Sequence, residues 1–324
     1  MRDAVSMGRT ATVGAAAAAP AAVLPALGER TTSAGERRVE PTGYYTEAWR
    51  RFRRDRTSLA ALCGFVLVCL IALAAPTIST HVLHTDPNKQ NLEARFHPPS
   101  ARYVLGTDEF GRDQLARLMY GARVSLAFGL AATAVQIVLG VVIGMCAGYY
   151  GRWVDDVFNA TIQVYRSIPF IYVLILAFMI WRPGFLGLAL IFGLFGWIGE
   201  ARTVRGQVMA VRHRDYVDAA RVLGASNVRI MFQHILPNVT NIVLVVVGFT
   251  MAGTMLAESG VSFLGFGIQP PTPSWGNMLG NSLEYVRKAW WLVLAPGLAI
   301  SFTVLCVFLL ADGLRDALDP RLRR

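Results

Sequence analysis

The chain has 324 residues, of which 54% are hydrophobic and only 16% charged, and its mean hydropathy is +0.44. A soluble protein of this length needs more charged surface, so the composition indicates a membrane protein. The formal charge of +10 comes almost entirely from arginine. The arginines stand in blocks between apolar runs, which is typical of membrane topology control and argues against nucleic-acid binding.

The N-terminal region divides into two parts. Residues 1–43 are rich in Ala, Pro, Gly and Thr without apolar periodicity, which predicts a disordered cytoplasmic tail. Residues 44–56 carry a dense arginine block directly before an apolar run. We predict a basic juxtamembrane helix there, and the positive-inside rule keeps it in the cytoplasm.

Six apolar runs between residues 57 and 324 are candidates for crossing the bilayer. Apolar runs of this length must cross the bilayer as helices, because their backbone N–H and C=O groups find no water in lipid with which to form hydrogen bonds. The sequence thus predicts an all-α integral protein of the inner membrane with six helices and both termini in the cytoplasm. The runs cover about residues 57–85, 124–151, 157–181, 183–199, 235–257 and 289–311, and the loops are a periplasmic loop at 81–118, a cytoplasmic loop at 202–236 and an outer loop at 259–288.

Glycines recur at multiples of about four residues on the second run, at Gly129, Gly140, Gly144 and Gly148. Small residues at this spacing favour close approach of two membrane helices. We therefore predict that this helix packs tightly against a neighbour.

Few ionisable residues fall within the runs. Arg166 lies within the third run, and Glu200 and Glu258 lie directly at the ends of the fourth and fifth. No acidic chain crosses the membrane, so structural pairing or anchoring of a gate is favoured over a proton relay. In the first outer loop, Asp108 and Arg112 indicate a fold held by arginine–carboxylate contacts. His81 and His84 are the nearest approach to a metal pair, and we interpret them as the start of a solvated loop. No metal or cofactor is predicted for this chain.

The most informative stretch lies in the 202–236 loop. Tyr216 to Leu223 has the composition of a short helix, Gly224 can end it in the left-handed conformation, and Ser226 can cap a second helix. Pro237 suits the first turn of the next membrane helix. From the residues alone, such a projecting helix either enters a groove of a partner protein or lies on anionic lipid.

A resemblance to a known family favours the partner protein. The pattern Asp-Ala-Ala-x-x-x-Gly at 218–224, followed by His-Ile-Leu-Pro at 234–237, resembles the EAA loop of permease subunits of ABC importers. Asp218 stands where Glu is usual and His234 where Ile is usual. In that family the loop forms a coupling helix held in a cleft of the ATPase subunit. The resemblance implies coupling roles for Tyr216, Asp218, Ala219, Ala220, Arg221, Gly224, Ala225, Ser226, Leu236 and Pro237.

Further motifs narrow the resemblance to the C-type permeases of dipeptide and oligopeptide importers. They lie at residues 105–113, 120–126, 148–151, 256–276 and 312–320. The resemblance implies a type I importer fold, a homologous second permease chain, two ATP-binding subunits, an extracytoplasmic substrate-binding protein and a di- or oligopeptide cargo. Nickel and glutathione importers share this type of subunit and stay open as alternatives, as do a secondary transporter and a membrane enzyme.

No G-x-x-x-x-G-K-[ST] phosphate loop is present, so ATP and Mg should be held by the partner ATPase subunits and hydrolysed there. The outer loop at 259–288 is rich in Pro, Gly and Trp. We expect it either to form a rigid connector or to contact the binding protein through Gln269, Pro270, Pro271, Trp275 and Gly276.

Overall fold

The computed structural model describes residues 44–319. The predicted tail at 1–43 and the terminal arginines 321, 323 and 324 lie outside the described residues. Within the described range the chain is helical apart from its loops, and the only β feature there is an isolated bridge between Thr107 and Asp113. The predicted all-α class is confirmed.

Twelve α-helices are numbered here in chain order over the described residues. Their bounds are α1 Tyr44–Arg54, α2 Arg56–His81, α3 Gln114–Tyr150, α4 Arg152–Ser167, α5 Phe170–Ile180, α6 Phe185–Gly196, α7 Ile198–Val211, α8 Asp215–Val222, α9 Asn227–Arg229, α10 Leu236–Phe263, α11 Trp275–Leu279 and α12 Trp291–Leu318. A π-helix at Ile230–Ile235 joins α9 to α10, and short 3₁₀ turns occupy Leu92–Ala94 and Gly280–Tyr285.

The membrane spans are of two kinds. Helices α2, α3 and α12 and the continuous stretch Asn227–Phe263 are each long and apolar enough to cross a bilayer. The pairs α4–α5 and α6–α7 pass the same test only together, and they are bent by 70° and 43°. Six spans result if each pair counts as one.

The third and fourth predicted spans are present as bent pairs of helices, and the sequence did not indicate the bends. The third breaks at Ile168 and Pro169, where a residue before proline is forced out of the helical region. The fourth breaks at Trp197 and then continues to Val211. Residues 202–211 of the predicted cytoplasmic loop belong to α7, and the chain leaves that helix at Arg212.

Helix α3 also begins ten residues earlier than its apolar run, at Gln114 rather than Val124. Asp113 caps it by accepting a hydrogen bond from the Ala116 N–H at 2.9 Å. Burial raises the pKa of the Asp113 carboxyl, and hydrogen bonds from the backbone of Ala116 and Leu115 oppose that rise. The hydropathy of the sequence does not reveal the first turns of α3, because they carry polar residues such as Arg117.

Both described ends of the chain lie at the same end of the helix bundle. Asp55 separates α1 from α2, and hydrogen bonds, chiefly from the Ser58 hydroxyl, lower its pKa to about 2. Phe52 of α1 is buried in a cluster with Val245 near the start of α10 and Ala317 near the end of α12. The predicted juxtamembrane helix is thus present and packs on the protein.

The glycines of α3 make the predicted close contact. A Cβ atom at Gly140 would lie 2.6 Å from the Cβ of Glu200, and one at Gly148 would lie 2.8 Å from the Cβ of Val208. At Gly144 it would overlap the backbone carbonyl of Ala201. Three turns of α3 therefore touch the surface of α7 with no side chain between them.

We predict that Gly144→Ala lowers the stability of the purified protein by about 1–3 kcal/mol, because the added methyl group meets backbone that cannot rotate away. The apparent Tm in detergent measures this. Gly206→Ala on α7 is the matched control, since nothing lies within 4 Å of its added Cβ. Equal melting temperatures for the two variants would contradict the close contact.

Candidate functional site

The segment from Arg212 to Ile235, called the 212–235 segment below, folds at the C-terminal end of α3. Helix α8 ends at Val222, and Gly224, two residues beyond it, has a φ of +80°. The Ser226 side chain accepts a hydrogen bond from the Arg229 N–H at 3.4 Å, and Pro237 lies in the first turn of α10. The predicted stop, cap and proline positions are therefore confirmed as local structure.

One side of this segment is covered by the helix bundle. Val217 is fully buried and Ala220 nearly so, and both join a core with Val208 of α7 and Tyr149 of α3. Ile230 of the π-helix is fully buried in the same core. Apolar burial thus fixes the 212–235 segment to α3, α7 and α10.

Polar contacts reinforce this attachment. The Tyr149 hydroxyl donates to the Asn227 side-chain oxygen at 2.9 Å, and the Arg212 guanidinium donates to the Gly148 carbonyl at 3.0 Å. Arg205 of α7 also forms a two-pronged ion pair with Asp155 of α4, one N···O distance being 2.6 Å. Two hydrogen bonds therefore tie the segment to α3, and the ion pair ties α7, which leads into the segment, to α4.

The other side of the segment is open. Val222 and Leu223, at the tip of α8, are 88% and 86% exposed. Asp218 and Arg221 pair with each other at 2.7 Å on the exposed face, and Ala219 between them is exposed as well. Two large apolar side chains projecting beside a small residue are typical of a surface that enters a partner's groove.

The opposite end of α3 carries the first loop, residues 82–113. Asp108 accepts hydrogen bonds from the N–H groups of Phe110 and Arg112, and from the Arg112 guanidinium at 2.6 Å. Arg117 lies 3.6 Å from the same carboxylate. The predicted loop held by arginine–carboxylate contacts is confirmed.

The loop between α10 and α12 separates into buried and exposed parts. Trp275 is only 3% exposed, and its indole N–H donates to the Leu118 carbonyl at 2.9 Å. Gly276 is buried against Ser259 and Ser262. Trp275 and Gly276 thus serve packing within this chain, which favours the rigid connector at these two positions. The exposed residues of the predicted set are Gln269, Pro270 and Pro271.

Glu258 anchors that loop to the end of α10. Its carboxylate accepts hydrogen bonds from Ser262 at 2.5 Å and from Ser274 at 3.3 Å. Ser274 in turn caps α11 with a reciprocal contact to Asn277. Glu258 therefore has the structural role that its position in the sequence indicates.

A polar cluster in the middle of the bundle was not found from the sequence. The Thr250 hydroxyl donates to Glu200 at 2.7 Å, and the Gln136 amide donates to the Thr254 hydroxyl at 3.1 Å. These groups line a cavity of about 430 Å³ together with Arg166. The sequence signals this cluster only through single polar residues within the apolar runs. It does not show which of them meet, because Gln136 and Thr254, for example, are 118 residues apart.

Between residues 44 and 319, no three His, Cys, Asp or Glu side chains come together in a way that could hold a metal ion. The His81 ring instead lies 2.8 Å from the Thr80 hydroxyl and 3.2 Å from the Thr77 carbonyl.

Together the spans and the two structured ends define a multi-pass helical membrane protein with a projecting unit on one side. Residues 140–324 match the family of binding-protein-dependent transport system inner membrane components, and the chain belongs to this family. Residues 43–99 match the N-terminal transmembrane domain of oligopeptide transport permease C. The protein is thus a permease of the inner membrane.

Several curated relatives align along most of the chain. A dipeptide transport system permease protein of Bacillus subtilis is 38% identical over 87% of each chain. A di/tripeptide transport system permease protein of Pseudomonas aeruginosa is 35% identical over 86% of this chain and 92% of its own. An oligopeptide transport system permease protein of Bacillus subtilis is 33% identical over 86% and 90%.

We predict that Trp275→Ala destabilises the protein by about 3–5 kcal/mol, since it empties a buried site and removes the hydrogen bond to Leu118. Gln269→Ala is the matched control in the same loop and should leave the apparent Tm in detergent unchanged. If the Trp275→Ala protein had the same apparent Tm as the wild type, the indole would not contribute to packing.

Proposed function

We propose that this chain is the permease subunit of an ATP-driven importer for di- or oligopeptides, and that it forms the transport path with a homologous second permease chain. The family membership supports the class of importer. The names of the three relatives favour a peptide cargo over nickel or glutathione. A substrate-binding protein would deliver the peptide from outside the membrane.

The observation that carries the proposal is the shape of the 212–235 segment. Its inner side is held in the bundle core, whereas Val222 and Leu223 project almost fully exposed. Burial of such exposed apolar side chains in a partner's groove lowers the free energy and so favours binding. We assign that groove to an ATP-binding subunit, which would hold ATP and Mg. Two such subunits would serve the two permease chains.

The proposed mechanism is alternating access. When ATP closes the pair of ATP-binding subunits, α8 is carried with them and pulls on the helices to which it is attached. Val217 and Ala220 transmit the movement to α3 and α7 by packing, and the π-helix transmits it to α10. The cycle requires α8 to make different contacts with the ATP-bound and the ATP-free ATP-binding subunits.

The two ends of α3 allow the orientation to be proposed. The 212–235 segment, α1 and the end of α12 share one end, which is rich in arginine. By the positive-inside rule this end lies in the cytoplasm with both termini. The 82–113 loop and the exposed residues Gln269, Pro270 and Pro271 then face outward, where they are placed to meet the binding protein.

We predict that Leu223→Asp lowers the amount of ATP-binding subunit that copurifies with the permease about tenfold, because a charge replaces an apolar contact. His213→Asp is the matched control, since His213 is exposed on the same segment but lies before α8. Uptake into proteoliposomes should fall in parallel for Leu223→Asp only. Full copurification and ATP-dependent uptake in Leu223→Asp would refute the coupling role, and uptake without ATP would favour a secondary transporter.

The orientation has its own test. In a variant lacking the four native cysteines, Val222→Cys and Gln269→Cys each place one thiol on an exposed site. A membrane-impermeant maleimide added to intact cells should label residue 269 and leave residue 222 unlabelled until the cells are opened. Labelling in the reverse order would overturn the proposed orientation.

A further inference from the structure

The polar cavity in the middle of the bundle contains a carboxylate that is only half used. Glu200 is 8% exposed, and one of its oxygens accepts the hydrogen bond from Thr250. Its second oxygen is buried and has no hydrogen-bond partner in the described chain. Leaving a buried carboxylate oxygen unpaired is costly, and an ionisable residue within a membrane span points to function.

The cavity around Glu200 is formed where helices break. Ile168 at the α4–α5 bend and Gly196 at the end of α6 both line it. Irregular backbone at membrane depth is tolerated where it borders a cavity that holds polar groups. Gly196 fits there because it has no side chain, since an added Cβ would lie 2.6 Å from the side-chain carbonyl carbon of Gln136. The packing of the chain thus maintains the space.

One wall of the cavity is absent from this chain. Gly253 and Ala257 of α10 line the cavity and are exposed, so the space opens away from the helix bundle. Arg166 lies on the rim, also exposed, and no carboxylate of the described chain is within 4 Å of it. A basic group on the rim and an acidic group inside give the opening two charges of opposite sign.

We propose that this cavity contacts the cargo on the transport path and that Glu200 accepts a hydrogen bond from the amino-terminal ammonium group of the peptide. The inference rests on the proposed function and adds a specificity-determining residue to it. A carboxylate is an acceptor only, so its free oxygen needs a donor, and an ammonium group offers three. The hydroxyls of Thr250 and Thr254 add acceptors beside it.

The chemistry of the rim matches the other end of the same cargo. A free peptide is a zwitterion, and the guanidinium of Arg166 can bind its carboxylate in a two-pronged manner. One charged contact at each end of the peptide is weak enough to let the peptide leave again, as conduction requires.

The test uses the whole importer, which is purified by an affinity tag on this chain together with its partner subunits and is reconstituted in proteoliposomes. Uptake of a dipeptide and of its desamino analogue, which lacks only the amino group, is measured for Glu200→Gln and divided by the wild-type value for the same cargo. This division cancels any preference of the binding protein. We expect the dipeptide value to fall about tenfold and the analogue value to stay near one.

Glu258→Gln is the matched control. Glu258 is likewise a buried glutamate with one unpaired oxygen, but it does not line this cavity. It should leave the ratio of the two cargo values unchanged, even if overall uptake drops.

A second readout does not depend on delivery of the analogue. A dipeptide with a diazirine on its first side chain should, on irradiation, cross-link to cavity residues of the wild-type importer, and about tenfold less in Glu200→Gln. Equal loss of both cargos, or unchanged uptake and cross-linking, would overturn the inference. Absence of ATP-dependent dipeptide uptake by the wild type would instead overturn the proposed function itself.

Discussion

Helices α3 and α7 meet without intervening side chains, because Gly140, Gly144 and Gly148 leave room for Glu200, Ala201 and Val208. In lipid there is no hydrophobic driving force between helices, so such an interface depends on close van der Waals contact. Helix α7 carries Glu200 at its beginning and Arg205 in its middle, and it leads directly into the 212–235 segment. The position of the cavity and the position of α8 therefore both follow from one helix contact.

Helix α10 joins three regions that are far apart in the bundle. Its first turns continue from the π-helix that ends the 212–235 segment, its middle supplies Thr250 and Thr254 to the cavity, and its end holds Glu258 under the outer loop. A continuous helix is a stiff connection, so a displacement at its start reaches all three regions. This arrangement gives the proposed alternating access a physical route across the membrane.

The parts of the structure that could be predicted from the sequence are those decided by local backbone chemistry. Gly224 ends a helix because it can adopt positive φ, and Ser226 and Pro237 suit helix starts for equally local reasons. Such requirements depend on a few neighbouring residues. The family resemblance was confirmed for the same reason, since it rests on several motifs in order along the chain.

The features that could not be predicted depend on distant contacts. An apolar run has the same hydropathy whether straight or bent, so the breaks at Pro169 and Trp197 were missed. Trp275 stands in a Pro- and Gly-rich loop whose composition does not indicate burial, and its place is decided by contacts with Leu118 and Ser125. The partners of Gln136 and Glu200 likewise become visible only when the helices are assembled.

The length of α3 has a consequence for the whole assembly. Its 37 residues extend over roughly 55 Å, whereas the hydrocarbon core is about 30 Å thick, so the rod overhangs the lipid by several turns. Surfaces at its two tips are thus held at a set distance and a set angle. Inserting one residue would turn one tip by about 100° relative to the other and advance it by about 1.5 Å. In the proposed importer, the number of residues in this helix is therefore constrained by the proteins that dock on both sides of the membrane.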